Sequence, residues 1–333
     1  NLGNVPNPGT ALIYRLNFAL LGLVNDGSGI TVSMDNLIRG GGDKRAIEVI
    51  YTDLASNDFS TLFKNMQGMH GDRNFAYQKI FENVFVHGCG TGFHQQLLAK
   101  DSLSLGFSAT AMHYVSEKPC QIKNHVHMVG ADLSEKKQFM AQAAKDWESI
   151  LLSRAEELLP GGRFVCMNFG IDEKGRYLGN TGGHSMFDKF NQHWKAQLDQ
   201  GTITDEEYTN ATFAQHYRTV EEFCAPFNDK MSKISKAGLR LLSCSTKLTR
   251  CPYREAYEKN IHSMSKKDFA DSLIPTTRSW SETVFRTALL KRDENEKHKI
   301  VDSFYESYRA EVEKDPDGHA MDYVHIIMEI EKI

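Results

Sequence analysis

The chain has 333 residues, 41% hydrophobic and 25% charged, which suits one large domain carrying a sizeable subdomain. Its net charge of −4, without a basic stripe or polybasic run, argues against nucleic-acid and anionic-membrane partners. The longest apolar run, 18–24, is far too short to span a bilayer, and no signal-peptide pattern is present.

The chain opens without Met and inside a motif, so the natural N-terminus is expected upstream of Asn1. Residues 1–12 read as the turn leaving a first strand, with a helix from about Thr10. Residues 46–53 form the next expected strand, ending in an acid, Asp53; Asn57 or Asp58 then caps a helix. A strand at 83–87 is closed by Gly88-Cys89-Gly90-Thr91-Gly92. The strand at 103–108 leaves the sheet through small residues and presents His113 and Tyr114 at its carboxyl end, where open α/β sheets bind ligands.

Asp132 and Glu135 have the spacing of a capping box, opening a helix with apolar positions through Leu159. Pro160-Gly161-Gly162 stops it, and 163–169 is a strand. This alternation predicts an α/β fold with a doubly wound, mostly parallel sheet. From 172 to 235 the chain turns helical and aromatic, with helices at 185–200 and from Thr204. A strand returns at 239–244, a helical block spans 266–314, and 323–330 is a last strand, antiparallel at the edge. The division that follows assigns 1–171, 236–262 and 319–333 to the α/β domain. Residues 172–235 and 263–318 form a helical cap that binds substrate.

Asp53 stands where nucleotide-binding α/β proteins place an acid against ribose hydroxyls; the competing reading is a turn or N-cap aspartate. Gly88–Phe93 is a poor dinucleotide fingerprint because its sixth position is Phe93. It reads better as a tight turn letting a ligand pass close to the backbone, with Phe93 as a stacking face. Six cysteines lack paired metal spacing and read as reduced structural thiols of a reducing compartment. His125 and His127 lack a third ligand and read as a solvated pair, with no metal.

Taken in order, these segments resemble the SABATH family of S-adenosylmethionine-dependent methyltransferases, the plant-type carboxyl and N-methyltransferases. The resemblance rests on Asn1-Leu2-Gly3 with Pro8-Gly9-Thr10, on Thr52-Asp53-Leu54-Ala55-Ser56-Asn57-Asp58-Phe59 and on Thr91-Gly92-Phe93-His94. Ala111-Met112-His113-Tyr114-Val115-Ser116, the Leu158-Leu159-Pro160-Gly161-Gly162-Arg163 turn and the stretch from Gly201 to Glu207 complete it. It implies a Rossmann-like class I methyltransferase fold that binds S-adenosylmethionine. Asp53 would accept the ribose hydroxyls and Leu54 would lie on the adenine. Gly3, Gly92, Phe93, Ser108 and Thr110 would complete the cofactor site. His113 and Tyr114 would hold a small-molecule carboxylate, with Met112 and Trp280 beside it.

A carboxylate is ionised at neutral pH and needs no base, so positioning is the protein's main task. The resemblance also implies a homodimer, and the reduced thiols lead to the expectation of a cytoplasmic protein. Of the aromatic residues Phe187, Phe190, Trp194, Phe213, Tyr217 and Trp280, one or two are expected to reach substrate. The chain departs from the family pattern in Asn1 and Asn7 at the first turn and in Tyr114 for the usual Trp, and the family's N-terminal Ser-Tyr segment would lie before Asn1. The alternatives are N- or O-methyl transfer on the same fold, or a relative that binds a ligand without turnover.

Overall fold

The computed structural model describes residues 14–19, 46–69, 76–80 and 82–333. The expected first turn, with Asn1, Gly3 and Asn7, lies outside them. Strands β1 (Tyr14–Ala19), β2 (Ile47–Asp53), β3 (Val84–Gly90), β4 (Leu103–Ala109) and β5 (Leu158–Ile171) run parallel in the order β3-β2-β1-β4-β5. A two-residue strand, β6 (Arg218–Thr219), pairs with the end of β5. Strands β7 (Leu239–Thr249) and β8 (Tyr323–Lys332) extend the sheet antiparallel as β5-β8-β7. The strand order reverses between β1 and β4, which is the topological switch point of such a sheet.

Helices α1 (Phe59–Met66), α2 (Tyr77–Ile80) and α3 (Leu133–Glu157) connect the parallel strands. Helices α4 (Met186–Asp199), α5 (Asp205–Asn210), α6 (Val220–Cys224) and α7 (Lys233–Lys236) follow β5. Helices α8 (Pro252–Lys259), α9 (Lys266–Ala288) and α10 (Glu294–Lys314) separate β7 from β8.

Local chemistry accounts for many of the helix starts. Asp132 accepts from the Glu135 N–H at 2.8 Å, and Glu135 accepts from the Asp132 N–H at 3.0 Å, the reciprocal bonds of a capping box. Thr204 and Glu207 repeat this at α5, and Asp58 caps α1 by accepting from the Thr61 N–H at 3.1 Å. Along α3, Trp147, Ile150 and Leu151 are buried against Phe164 of β5 and Met328 of β8, which lays the helix on the sheet.

A second core lies in the helical segments. Phe187, Phe190 and Trp194 of α4 are fully buried with Phe213, Phe285 and Phe304. Each fully buried aromatic contributes about 1.5–3 kcal/mol.

Four expectations of the fold are corrected. Where a helix was expected from about Thr10, residues Tyr14–Ala19 form the strand β1, paired on both sides with β2 and β4. Helix α3 ends at Glu157, not Leu159, because Leu158 already pairs with Leu103 and Pro160-Gly161-Gly162 bulges out of the strand. Gly161 has φ +80°, and a Cβ on Gly162 would stand 2.8 Å from the Leu159 carbonyl, so both positions require glycine. Gly88 and Gly90 belong to β3 rather than to a turn; side chains there would press on Phe59 and Ala55, so these glycines let α1 and the residues before it lie across the strand. Finally, β8 is interior and β7 is the edge. Its buried Val324, Ile326, Met328 and Ile330 suit that position, as the exposed Arg240 and Lys247 suit the edge strand β7.

Candidate functional site

Strand β4 lies between β1 and β5, and its carboxyl end carries the candidate site. Thr110 turns the chain out of the sheet with φ +53°, a left-handed conformation unusual for a β-branched residue, and its N–H donates to the Met167 carbonyl at 2.7 Å. The turn that follows is held from several sides. Asn168, fully buried on β5, accepts from the Met112 N–H at 2.9 Å. The Arg218 guanidinium donates to the Met112 carbonyl at 2.6 Å and to the Ala143 carbonyl of α3 at 2.6 Å. The His216 N–H donates to the His113 carbonyl at 2.8 Å, and Tyr114 forms a bridge to Gln215. None of Asn168, Gln215 and Arg218 was singled out from the sequence.

The turn opens on a cavity of about 250 Å³. Thr110, His113, Tyr114 and Phe169 line its sheet side. Gln215 and Tyr217, from the non-helical stretch between α5 and β6, and Thr276 and Trp280 of α9 line it from the other side. Two of the six aromatic candidates, Tyr217 and Trp280, therefore reach it; Phe187, Phe190, Trp194 and Phe213 are core. The wall contains no lysine or arginine among the described residues.

His113 is 2% exposed, and burial, with the charges of Arg218 and His325, pushes its pKa down to about 3. It is therefore a neutral imidazole at physiological pH, and its Nδ1 has no hydrogen-bond partner among the described residues. Burial raises the Tyr114 phenol, which faces Gln215. Met112 does not reach this cavity: it is buried on the other side of the turn, its sulfur 3.8 Å from the Cys166 thiol.

On the other flank of the switch point, Asp53 ends β2 half-buried. One carboxylate oxygen accepts from the Leu54 N–H and the other from the Asn57 amide, each at 2.7 Å. Burial pushes its pKa up, and those two bonds oppose the rise. Asp58 takes the N-cap role, which leaves Asp53 a turn residue whose oxygens retain lone pairs for a ligand. Leu54 is 58% exposed, and its side chain approaches Gly92, where a Cβ would lie 3.4 Å from it.

Phe93, Ser108, Thr52 and Met112 share a narrow crevice of about 10 Å³, and the Ser108 hydroxyl is buried without a partner among the described residues. The His94 ring contacts the Tyr114 carbonyl at 3.2 Å. The loops after β2, β3 and β4 thus meet, linked by Leu54 to Gly92 and by His94 to Tyr114.

The loop carrying Gly92 and Phe93 rests on a buried ion pair that sequence reasoning missed. Arg154 donates to the carbonyls of Phe93 at 3.2 Å and Gln95 at 2.9 Å, and to Glu157 at 2.6 and 2.8 Å. Glu157 accepts in turn from the Leu97 N–H at 2.5 Å. Its only signal in the chain is an i,i+3 charge pair amid the apolar positions that close α3.

The His125 and His127 pair is not solvated. His127 is fully buried and stacks on Phe187 at 3.8 Å, while His125 packs against the His127 carbonyl at 2.9 Å and Asp188 at 3.2 Å. No cluster of three metal-binding side chains occurs among the described residues, and their helices include none long and apolar enough to cross a membrane.

Residues 31–333 match the family described as SAM dependent carboxyl methyltransferase. The chain is 26% identical over 191 residues to gibberellic acid methyltransferase 1 of Arabidopsis thaliana, covering 54% of this chain and 49% of that protein. It is 23% identical over 183 residues to loganic acid O-methyltransferase of Catharanthus roseus, covering 52% and 46%. The chain thus spans about half the length of the curated relatives it matches. A solved structure, loganic acid methyltransferase with SAH, shares the fold with a TM-score of 0.67 at 17% identity, covering 96% of this chain and 84% of that one.

Proposed function

The chain belongs to the S-adenosylmethionine-dependent carboxyl methyltransferase family, and from that premise we propose that it transfers a methyl group to the carboxylate of a small-molecule acid, giving a methyl ester. One observation carries the reading: a cavity of about 250 Å³ at the carboxyl end of β4, bordered by the neutral imidazole of His113.

The residues at the switch point fit the adenosyl cofactor. The Asp53 carboxylate suits a ribose diol, the exposed Leu54 offers an apolar face to the adenine, and the Ser108 hydroxyl, without a partner among the described residues, suits a polar group. Gly92, Phe93 and Thr110 border the same convergence, and Gly3 is proposed by resemblance alone. When bound, S-adenosylmethionine supplies an electrophilic methyl on a sulfonium. His113 donates to one carboxylate oxygen, and Tyr114 helps turn the other toward the methyl. A neutral imidazole orients the anion without the stronger attraction of an imidazolium, which would stabilise the ground state and slow transfer. Trp280 closes the pocket over the acid.

A pKa of about 3 makes His113 a poor general base at neutral pH, which disfavours O-methylation of a neutral hydroxyl. We further propose the division into an α/β domain (1–171, 236–262, 319–333) and a cap (172–235, 263–318), because the cavity lies between side chains of both parts. We also propose a homodimer, by resemblance, in a reducing cytoplasm that keeps the six cysteines free. Light scattering tests the pairing.

The activity is tested by incubating a panel of small carboxylic acids with labelled methyl donor. Esters should form, and His113→Ala should lower kcat/KM by about a hundredfold while Tyr114→Phe lowers it less. Ester formation unaltered by both changes would place the acceptor elsewhere. Absence of cofactor binding in calorimetry would favour a relative without turnover.

A further inference from the structure

The clamp formed by His113 and Tyr114 leaves two polar groups of the cavity unused. Between α5 and β6 the chain passes the cavity without helix, and Gln215 and Tyr217, two residues apart, both face it. His216, between them, turns instead to Glu222 at 2.9 Å. This is the alternation of an extended segment, in which every second side chain shares a face.

Gln215 and Tyr217 are each 1% exposed. The side-chain oxygen of Gln215 and the hydroxyl of Tyr217 have no hydrogen-bond partner among the described residues. Tyr114 and His127 flank the Gln215 amide, and its oxygen is directed toward the His127 ring without reaching hydrogen-bond geometry. Folded chains rarely bury polar atoms this way, because the unpaired group has lost its water with nothing in return. Two such atoms on residues that line one cavity mark a place where the ligand supplies the partners. Their chemistry is complementary: Tyr217 offers a proton, and the Gln215 oxygen can only accept one.

Building on the methyl-transfer reading, we propose that Gln215 and Tyr217 are specificity-determining residues that bind a hydroxyl group on the acid substrate. The Tyr217 O–H donates to the substrate hydroxyl oxygen, and that hydroxyl donates its hydrogen to the Gln215 oxygen. A hydroxyl satisfies both residues because it donates and accepts at one atom. An ether or ketone leaves the Gln215 oxygen unpaired, and a methyl group leaves both unpaired. The preferred acids therefore carry a hydroxyl within reach of this pair, separate from the carboxylate held by His113.

The test uses matched small acids that differ by one hydroxyl, at several ring and chain positions. Binding is measured by calorimetry with S-adenosylhomocysteine present, and methyl transfer is measured in parallel. The full chain is compared with Tyr217→Phe and Gln215→Met. The best hydroxylated acid should bind at least about tenfold more tightly than its deoxy partner. Each substitution should bring that ratio to within about threefold. Tyr217→Phe removes an unpaired polar atom, so it should melt no lower than the parent, which separates lost recognition from lost folding. Equal binding of all pairs by the parent chain, or discrimination that survives both substitutions, overturns the proposal. Discrimination with no methyl transfer would uphold the pair and end the transfer reading. Equal transfer to both members of every pair would do the reverse.

Discussion

At the scale of single residues, the site depends on buried polar groups whose partners decide their chemistry. His113 is neutral because burial and the Arg218 charge act in the same direction on its pKa. Arg218 holds the turn from behind, stacked near Trp147 and Phe223 at 5.8 and 5.5 Å. The Arg154–Glu157 pair shows the opposite arrangement, two full charges buried together at 2% and 0% exposure. Breaking such a pair leaves an uncompensated buried charge. Glu157→Gln should therefore lower stability by about 3–5 kcal/mol in denaturant unfolding and weaken cofactor binding, since Arg154 also holds the Phe93 loop. A change under about 1 kcal/mol would show that the pair is hydrated.

His113, Tyr114 and Asp53 were legible in the sequence because each sits just past a recognisable strand, among small residues or at an acid end. Arg154, Arg218 and Gln215 were not, because their partners lie 59 to 106 residues away or in a cavity that only folding creates. The same holds for His127, whose burial depends on stacking against Phe187.

Among the elements, α9 does most to shape the cavity from above. Thr276 and Trp280 are four residues apart, so they share the face that meets the cavity, while Phe285 continues into the helical core. Thr276 is already bonded to Tyr253 at 2.9 Å, and Trp280 offers the ligand the face of its ring. A wall residue that touches the acid equally in ground and transition states affects binding rather than turnover. Trp280→Ala should raise KM for the acid by roughly tenfold with little change in kcat, read from initial-rate kinetics. A matching fall in kcat would show that α9 positions the reacting oxygen.

Element starts were readable from capping residues at 58, 132 and 204. Where elements ended, and which strands became neighbours, was less readable. Leu158 could continue a helix or begin a strand, and its pairing with Leu103 decides the outcome. An alternating strand such as β8 does not announce whether it will lie at an edge or between two others.

Across the whole molecule, the sheet core and the helical core enclose several histidines that lose their charge on folding. Burial lowers His113 to about 3 and His319 and His325 to about 4, and lowers His127 well below its usual value. A depressed folded pKa means that the unfolded chain binds the proton first as pH falls. The stabilising contribution of each group is complete above about 6.5 and is lost as pH drops toward its folded value. For His113 the slope approaches, at most, about 1.4 kcal/mol per pH unit between pH 6.5 and 3. His113→Asn lacks this titration. The stability advantage of the parent chain over that variant should narrow steadily as denaturant midpoints are taken from pH 7 to pH 5. A constant difference would mean that His113 titrates in the fold as it does in the unfolded chain, and a widening one that it is protonated in the fold.

The central claim is spatial: the loops after β2 and β4 place a nucleoside and an anionic acid on either side of one switch point. A crystal structure of the chain with S-adenosylhomocysteine and a bound carboxylic acid tests it most directly. The account predicts the ribose hydroxyls on Asp53 and the carboxylate within hydrogen-bond reach of His113, inside the cavity closed by Trp280. A nucleoside far from Asp53, or an acid bound outside that cavity, would contradict it.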